Sequence, residues 1–237
     1  MRRKATADSF GLNQAIADNQ SRLTSGTEAP EARCSGATLV PVAEGKHELL
    51  ERLAGQIRSC TRCPLCDGRT HAVPGEGSPN ARVVFVGEAP GRDEDEQGRP
   101  FVGKSGQLLR QTIREVGWRE DEVFIANVLK CRPPENRDPE ESEIEACRSW
   151  LIAQLVTIRP RLIVTLGRYS MALLMKPGLK ITQIHGRHAI RDGFVVLPTY
   201  HPSAVLRDPE KLADFRRDIM KARRLSEVID DNGRLNV

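Results

Sequence analysis

No apolar run in this chain approaches the roughly 20 residues that a membrane-spanning helix needs. The N-terminal MRRKATADSF carries charge but lacks the apolar h-region of a secretory signal. A cytoplasmic protein with no membrane partner is therefore expected. Net charge is also scarce: 36 basic residues against 32 acidic leave +4, so a basic surface has to come from local clustering rather than a global excess. Hydrophobic residues make up 39% of the 237, somewhat below average, and part of the chain is expected to lie outside any core. The length suits one α/β domain with a tail, or at most two small domains.

A nucleotide site is a further absence, despite one literal match. Gly98-x-x-x-x-Gly103-Lys104-Ser105 satisfies the Walker A pattern. A phosphate cradle must follow a buried strand and open a helix. Helical spacing does follow, with Leu108, Leu109, Ile113 and Val116 after Ser105 as an expected N-cap. The preceding GRDEDEQ (91–97), however, reads as an acidic solvated loop, and Pro100 has no N–H to offer a phosphate. No later apolar run ends in an Asp able to hold Mg²⁺. The match is accidental, no nucleoside triphosphate is expected, and the role of Phe101 in that loop becomes the open question.

What is present is an alternation of apolar runs. Residues 1–45 are rich in Ala, Ser, Thr, Glu and Gly with Pro30 and Pro41, which predicts a disordered extension. NQAIADNQSRL within it reads as a transient helix, and Cys34 as a spare thiol. The folded unit is expected over 46–230, followed by a tail at 231–237. Leu49, Leu50, Leu53 and Ile57 mark a first helix. Val83–Val86, Val123–Ile125, Leu162–Leu166 and Val195–Leu197 read as buried strands, with helical patterns over 106–116, 144–158, 170–174 and 209–230. The fold class predicted is a single α/β/α domain with a central, mainly parallel four-stranded sheet. Arg216, Arg217, Lys221, Arg223 and Arg224 on the last helix read either as a solvated face or as phosphate contacts.

Ligands of open α/β sheets sit at the carboxyl ends of the strands. There the chain places Gly87-Glu88-Ala89-Pro90-Gly91, Ala126-Asn127, Gly167, and Pro198-Thr199-Tyr200-His201-Pro202-Ser203. A close-approach turn, a carboxamide and a histidine thus converge on one crevice. Six cysteines in a cytoplasmic chain point to metal or redox chemistry before disulfides. Cys60-x-x-Cys63 with Cys131 and Cys147 suits either Zn²⁺ or a [4Fe–4S] cluster.

GEAPG, EDEQGRPFVGKSGQLL, ANVLKCRPPENRDP and TYHPSAVLR, in this order, resemble the motifs of family 4 uracil-DNA glycosylases, the iron–sulfur branch of that superfamily. The resemblance covers about residues 48–222. It implies an enzyme of DNA base excision repair that flips uracil out of single- or double-stranded DNA, hydrolyses its N-glycosidic bond and leaves an abasic site; separately, a monomer is expected. It implies further that backbone N–H groups of Glu88 and Ala89 and the side chain of His201 face the uracil O2. Asn127 then reads the N3–O4 edge and Phe101 stacks on the base, while Asn136 in RPPENRDP reads either as a turn residue or as polar support for the site, with support favoured. Leu206 is the implied wedge and Arg207 the phosphate contact. Where other branches carry an Asp in the first motif, this chain has Ala89, so a carboxylate at Glu88, or at Glu94 or Asp95 in the acidic loop, with Glu94 favoured, is expected to position the attacking water. The same resemblance selects the [4Fe–4S] cluster, with Cys60, Cys63, Cys131 and Cys147 as ligands, Cys66 as a bystander, and Arg132 presented to DNA.

Overall fold

Four stretches rich in Val, Ile, Leu and Phe become strands buried over nearly their whole length, as a parallel sheet covered on both faces requires. The computed structural model describes residues 45–230; the expected N-terminal extension with Cys34 and the C-terminal tail lie outside the described residues. In chain order the elements are α1 (Lys46–Arg58), α2 (Leu65–Gly68), β1 (Glu76–Gly77), β2 (Val83–Gly87), α3 (Arg92–Gln97), α4 (Lys104–Glu115) and β3 (Val123–Asn127). Then follow α5 (Glu141–Ile158), β4 (Leu162–Leu166), α6 (Arg168–Leu174), α7 (Ile181–Ile184), β5 (Ala189–Arg191), β6 (Phe194–Thr199), α8 (Pro202–Arg207) and α9 (Lys211–Val228).

The period-2 alternation of each strand divides the core in two. Val84 and Val86 of β2 join Phe124, Ala126, Ile163 and Val196 against α1 and α5, through Leu50, Ile57, Leu151 and Leu155. Val83 and Phe85 join Val123, Ile125, Val164 and Leu197 against α4 and α9, through Leu109, Ile113, Phe215 and Ile219. Helices on both faces of one sheet make the α/β/α layering that the sequence predicts.

The sheet itself is larger than expected. Among the described residues it has six strands in the order β1-β3-β2-β4-β6-β5. The four expected strands form its parallel centre, and β1 and β5 add antiparallel edges. These edges are two and three residues long, too short to show a period. From β2 the chain steps one way to β3, then crosses back past β2 to β4. That reversal opens a crevice at the carboxyl ends of the central strands, where this topology places ligands.

Two local expectations are corrected. GRDEDEQ is not a solvated loop: residues 92–97 form α3, and both Glu94 and Asp95 are buried. The N-cap of α4 is Gly103 rather than Ser105. Part of the basic face of α9 is ion-paired within the chain, Arg216 to Glu115 at 3.1 Å, Arg217 to Asp214, and Arg223 to Glu227 at 3.3 Å. Among the described residues no helix is long and apolar enough to cross a membrane.

Candidate active site

β2 and β3 run parallel in a register that pairs Gly87 with Asn127 at their carboxyl ends. The chain then holds the two exits together, Val128 N–H donating to Gly87 O at 3.1 Å and Leu129 N–H to Glu88 O at 3.0 Å. Into the same crevice the exits of β4 and β6 bring Gly167-Arg168 and Tyr200-His201. The result is a cavity of about 730 Å³ lined by Glu88, Ala89, Phe101, Asn127, Tyr200, His201, Asn136, Arg168 and Arg207, among others.

The floor is packed too closely for any residue but glycine at two points. A Cβ on Gly87 would lie 2.3 Å from Asn127 Oδ1 and 2.5 Å from Phe101 Cζ. A Cβ on Gly106 would lie 2.0 Å from the carbonyl carbon of Phe101. Phe101 itself takes a left-handed backbone, φ 53°, that a bulky residue adopts only under constraint. Two groups supply the constraint. Arg110 donates to the carbonyls of Phe101 at 2.9 Å and of Pro100 at 2.8 Å. Glu94 accepts from the backbone N–H groups of Val102 and Gly103, both at 2.9 Å, and from that of Gly91 at 3.1 Å. The anion at this helix N-terminus is therefore the protein's own carboxylate, which explains why a Walker-like string needs no phosphate. Glu94 lines the cavity, but its oxygens are engaged with backbone, which tells against the water-positioning role favoured for it. Asp95 is likewise committed, accepting from Thr70 N–H.

His201 caps α8. Its Nδ1 accepts from the Ser203 N–H at 3.2 Å, beside the Ser203 hydroxyl at 2.8 Å. An N–H can only donate, so Nδ1 is the acceptor and the proton sits on Nε2. Burial, and then the Arg207 charge, push its pKa down to about 4, so the ring is neutral at physiological pH. Its ring centroid lies 5.9 Å from that of Phe101, tilted by 36°. Glu88 behaves oppositely. Burial, reinforced by Asp138 and opposed by Arg168 and Arg207, raises its pKa to about 7. Asn127 is 2% exposed, and its Oδ1 has no hydrogen-bond partner among the described residues. A buried acceptor in this state costs free energy until a donor arrives.

Asn136 sits at the cavity wall in left-handed conformation (φ 53°), its Oδ1 accepting from Arg132 Nε at 2.8 Å. Arg207 also lines the cavity, and Leu206 beside it is 50% exposed on α8. Arg168 and Asp138, paired with each other at the wall, and Arg110 beneath it are additions that the strand-and-motif reading misses. Arg168 follows β4 directly, so its place at a strand end was the available signal.

Residues 74–225 match the model of the uracil DNA glycosylase superfamily. A type-4 uracil-DNA glycosylase of Sulfurisphaera tokodaii is 47% identical over 186 residues, covering 75% of this chain and 84% of the relative. That of Saccharolobus solfataricus is 43% identical over 183 residues (73% and 85%), and that of Pyrobaculum aerophilum 43% over 185 (72% and 91%). The chain belongs to the type-4 uracil-DNA glycosylases.

In this glycosylase Cys60, Cys63, Cys131 and Cys147 line one small cavity, together with Cys66, Arg69, Lys130 and Trp150. The five cysteines are free of disulfides. Three of the sulfurs accept N–H donors: Cys131 from Arg69 Nη1 at 3.1 Å, Cys147 from the Lys130 amide at 3.3 Å, and Cys60 from Trp150 Nε1 at 3.3 Å. Burial raises the thiols of Cys63 and Cys131 and pushes Cys147 up to about 11. The Cys66 thiol instead donates to Asp67 at 3.3 Å. Among the described residues no three His, Cys, Asp or Glu side chains are gathered closely enough to share a single metal ion.

The Glu94 bonds make a prediction for the glycosylase as folded. Glu94→Ala leaves three backbone donors without an acceptor, so thermal unfolding should show a loss of about 1–3 kcal/mol or more. An unchanged melting temperature would show that the carboxylate does not organise the loop.

Proposed function

We propose that the protein excises uracil from single- or double-stranded DNA by hydrolysis of the N-glycosidic bond, acting as a monomer and leaving an abasic site for base excision repair. The single observation that carries this reading is the orphaned, buried Asn127 Oδ1 in a cavity that also holds Phe101 and His201. Uracil presents an N3–H donor beside the O4 acceptor, which a carboxamide matches with Oδ1 and Nδ2. Cytosine offers an acceptor at N3 and donors at N4, so it leaves the same oxygen unpaired and is rejected. A flipped base stacks on the Phe101 ring, the exposed Leu206 enters the vacated stack, and Arg207 meets phosphate.

Bond cleavage sends the electron pair of the C1′–N1 bond to uracil N1 and leaves a sugar cation. The negative charge spreads onto O2, where Nε2–H of neutral His201 and the backbone N–H groups of Glu88 and Ala89 donate. Water then adds to C1′ and gives up a proton, which the Glu88 carboxylate accepts and which the departing uracil anion finally takes up. Glu88 is the carboxylate assigned to orient that water and offset the cation, because Glu94 is held by three backbone donors. The four cysteines suit a [4Fe–4S] cluster: four thiols from three parts of the chain, without disulfides, with N–H donors aimed at sulfur. When bound, the cluster supplies a covalent tie between the α1 exit, the β3 exit and α5, a structural rather than an electron-transfer role.

Incubation with a uracil-containing oligonucleotide should release free uracil and leave an alkali-labile site. Binding without release would reduce the protein to a recognition module, and a stable crosslink would indicate covalent trapping. His201→Ala should slow single-turnover excision by about 10²–10³ while DNA affinity changes little; the parental rate in that variant would make the histidine structural.

The pH profile follows from the two shifted groups. Glu88 must be ionised to act, so the single-turnover rate should rise with pH through about 7. His201, neutral above about 4, contributes nothing in that range. The stability contribution has the opposite sign. The fold binds the Glu88 proton more tightly than the unfolded chain, so this contribution is present at low pH and is lost as pH rises from 4.5 to about 7. Glu88→Gln should flatten both dependences, and a rate profile with its inflection intact would reassign the base.

The purified protein should be brown, with about four iron and four sulfide per chain by the stoichiometry of the cluster. Cys60→Ala should lose iron and thermal stability together, and Cys66→Ala should keep both. One zinc per chain without iron would overturn the assignment.

A further inference from the structure

Lysine is rarely buried without a charged partner, yet Lys130 is 1% exposed. Its ammonium donates to the backbone carbonyl of Asn127 at 2.9 Å and to Gln154 Oε1 at 2.7 Å. Neither acceptor carries charge. Gln154 is itself fixed, its Nε2 donating to Pro74 O at 2.8 Å, while Val73 N–H donates to Lys130 O at 2.7 Å. On its other side the Lys130 amide donates to Cys147 Sγ at 3.3 Å. One residue thus grips the carbonyl of Asn127 with its side chain and a cysteine sulfur with its backbone.

An apolar side chain of the same length would fill this space without desolvating an ammonium. Cohesion alone is therefore a poor account of Lys130. What the ammonium does that a methylene cannot is fix the Asn127 carbonyl, three residues back along the chain, and set a positive charge beside the Cys147 sulfur; only the first of these reaches the cavity. With β3 ending at Asn127, that carbonyl lies at the last rung paired with Gly87, and its position sets the direction of the carboxamide. We propose that Lys130 is a positioning residue for base reading: it locks Asn127 in register with the cysteine site, so that the carboxamide enters the cavity already aimed at the uracil edge. This rests on the reading of Asn127 given above.

The test is Lys130→Met in the full chain, with three readouts: iron content, affinity for abasic-site DNA, and inhibition of excision by free uracil. The expected result is retained iron, abasic-DNA affinity within about twofold of the parent, and a uracil inhibition constant raised at least about tenfold, the weight of one charge-assisted hydrogen bond. A role confined to the cysteine site predicts the reverse, loss of iron with unchanged uracil inhibition in the iron-loaded fraction, and that result overturns the proposal. If Lys130→Met does not fold, Gln154→Leu, which removes one of the two acceptors, should raise the uracil constant by a smaller factor; no rise overturns the proposal. Asn127→Ala separates the two levels of the argument. If it leaves uracil inhibition unchanged, the reading of Asn127 fails; if it weakens inhibition and Lys130→Met does not, only the positioning role fails.

Discussion

The carboxylate of Glu94 gathers the loop on which the site is built. It faces three backbone N–H groups from two places in the chain, Gly91 on one side and Val102 and Gly103 on the other. Those are the donors that open α3 and α4, and neither helix has a side-chain cap of the ordinary kind at its start. Between the two tied points lies Phe101, in a backbone conformation that it would not keep alone. The aromatic floor of the cavity is thus held by an internal anion placed where other proteins bind phosphate. A string of residues that reads as a nucleotide site and a loop that presents an aromatic ring to the cavity are reconciled by one buried carboxylate.

The second constraint is the register of the parallel strands. Pairing Gly87 with Asn127 brings a residue with no side chain beside one whose carboxamide needs room. The alternation that sends Val83 and Phe85 to one core and Val84 and Val86 to the other also sets which residues leave the sheet at its carboxyl edge. Packing and the lining of the cavity follow from the same ladder, so slipping it by one residue would exchange both cores and remove the carboxamide from the cavity.

Much of this was legible in the sequence because the signals were long or positional. Four apolar runs separated by helical spacing predict the parallel centre, and the residues immediately after each run, Glu88, Asn127 and His201, do line a common cavity. The edges were not legible, since Glu76–Gly77 and Ala189–Arg191 show no period. The acidic run 92–97 misleads because charge density suggests solvent, whereas Glu94 and Asp95 find backbone donors that only the folded chain supplies. Lys130 leaves no signal for the same reason: its burial depends on Gln154 and on the Asn127 carbonyl, neither of which is visible as a motif. Buried polar groups are specified by their partners, and partners distant in sequence leave no local trace.

The short antiparallel edges bear on behaviour in a crowded cell. A sheet offers unpaired N–H and C=O groups only along its outer strands, and here those strands run for two and three residues. The long apolar strands that would template aggregation are all interior, flanked on each side by a stub that ends the ladder. With so little edge to recruit a foreign strand, the sheet of the described residues offers no extended seam along which copies could polymerise.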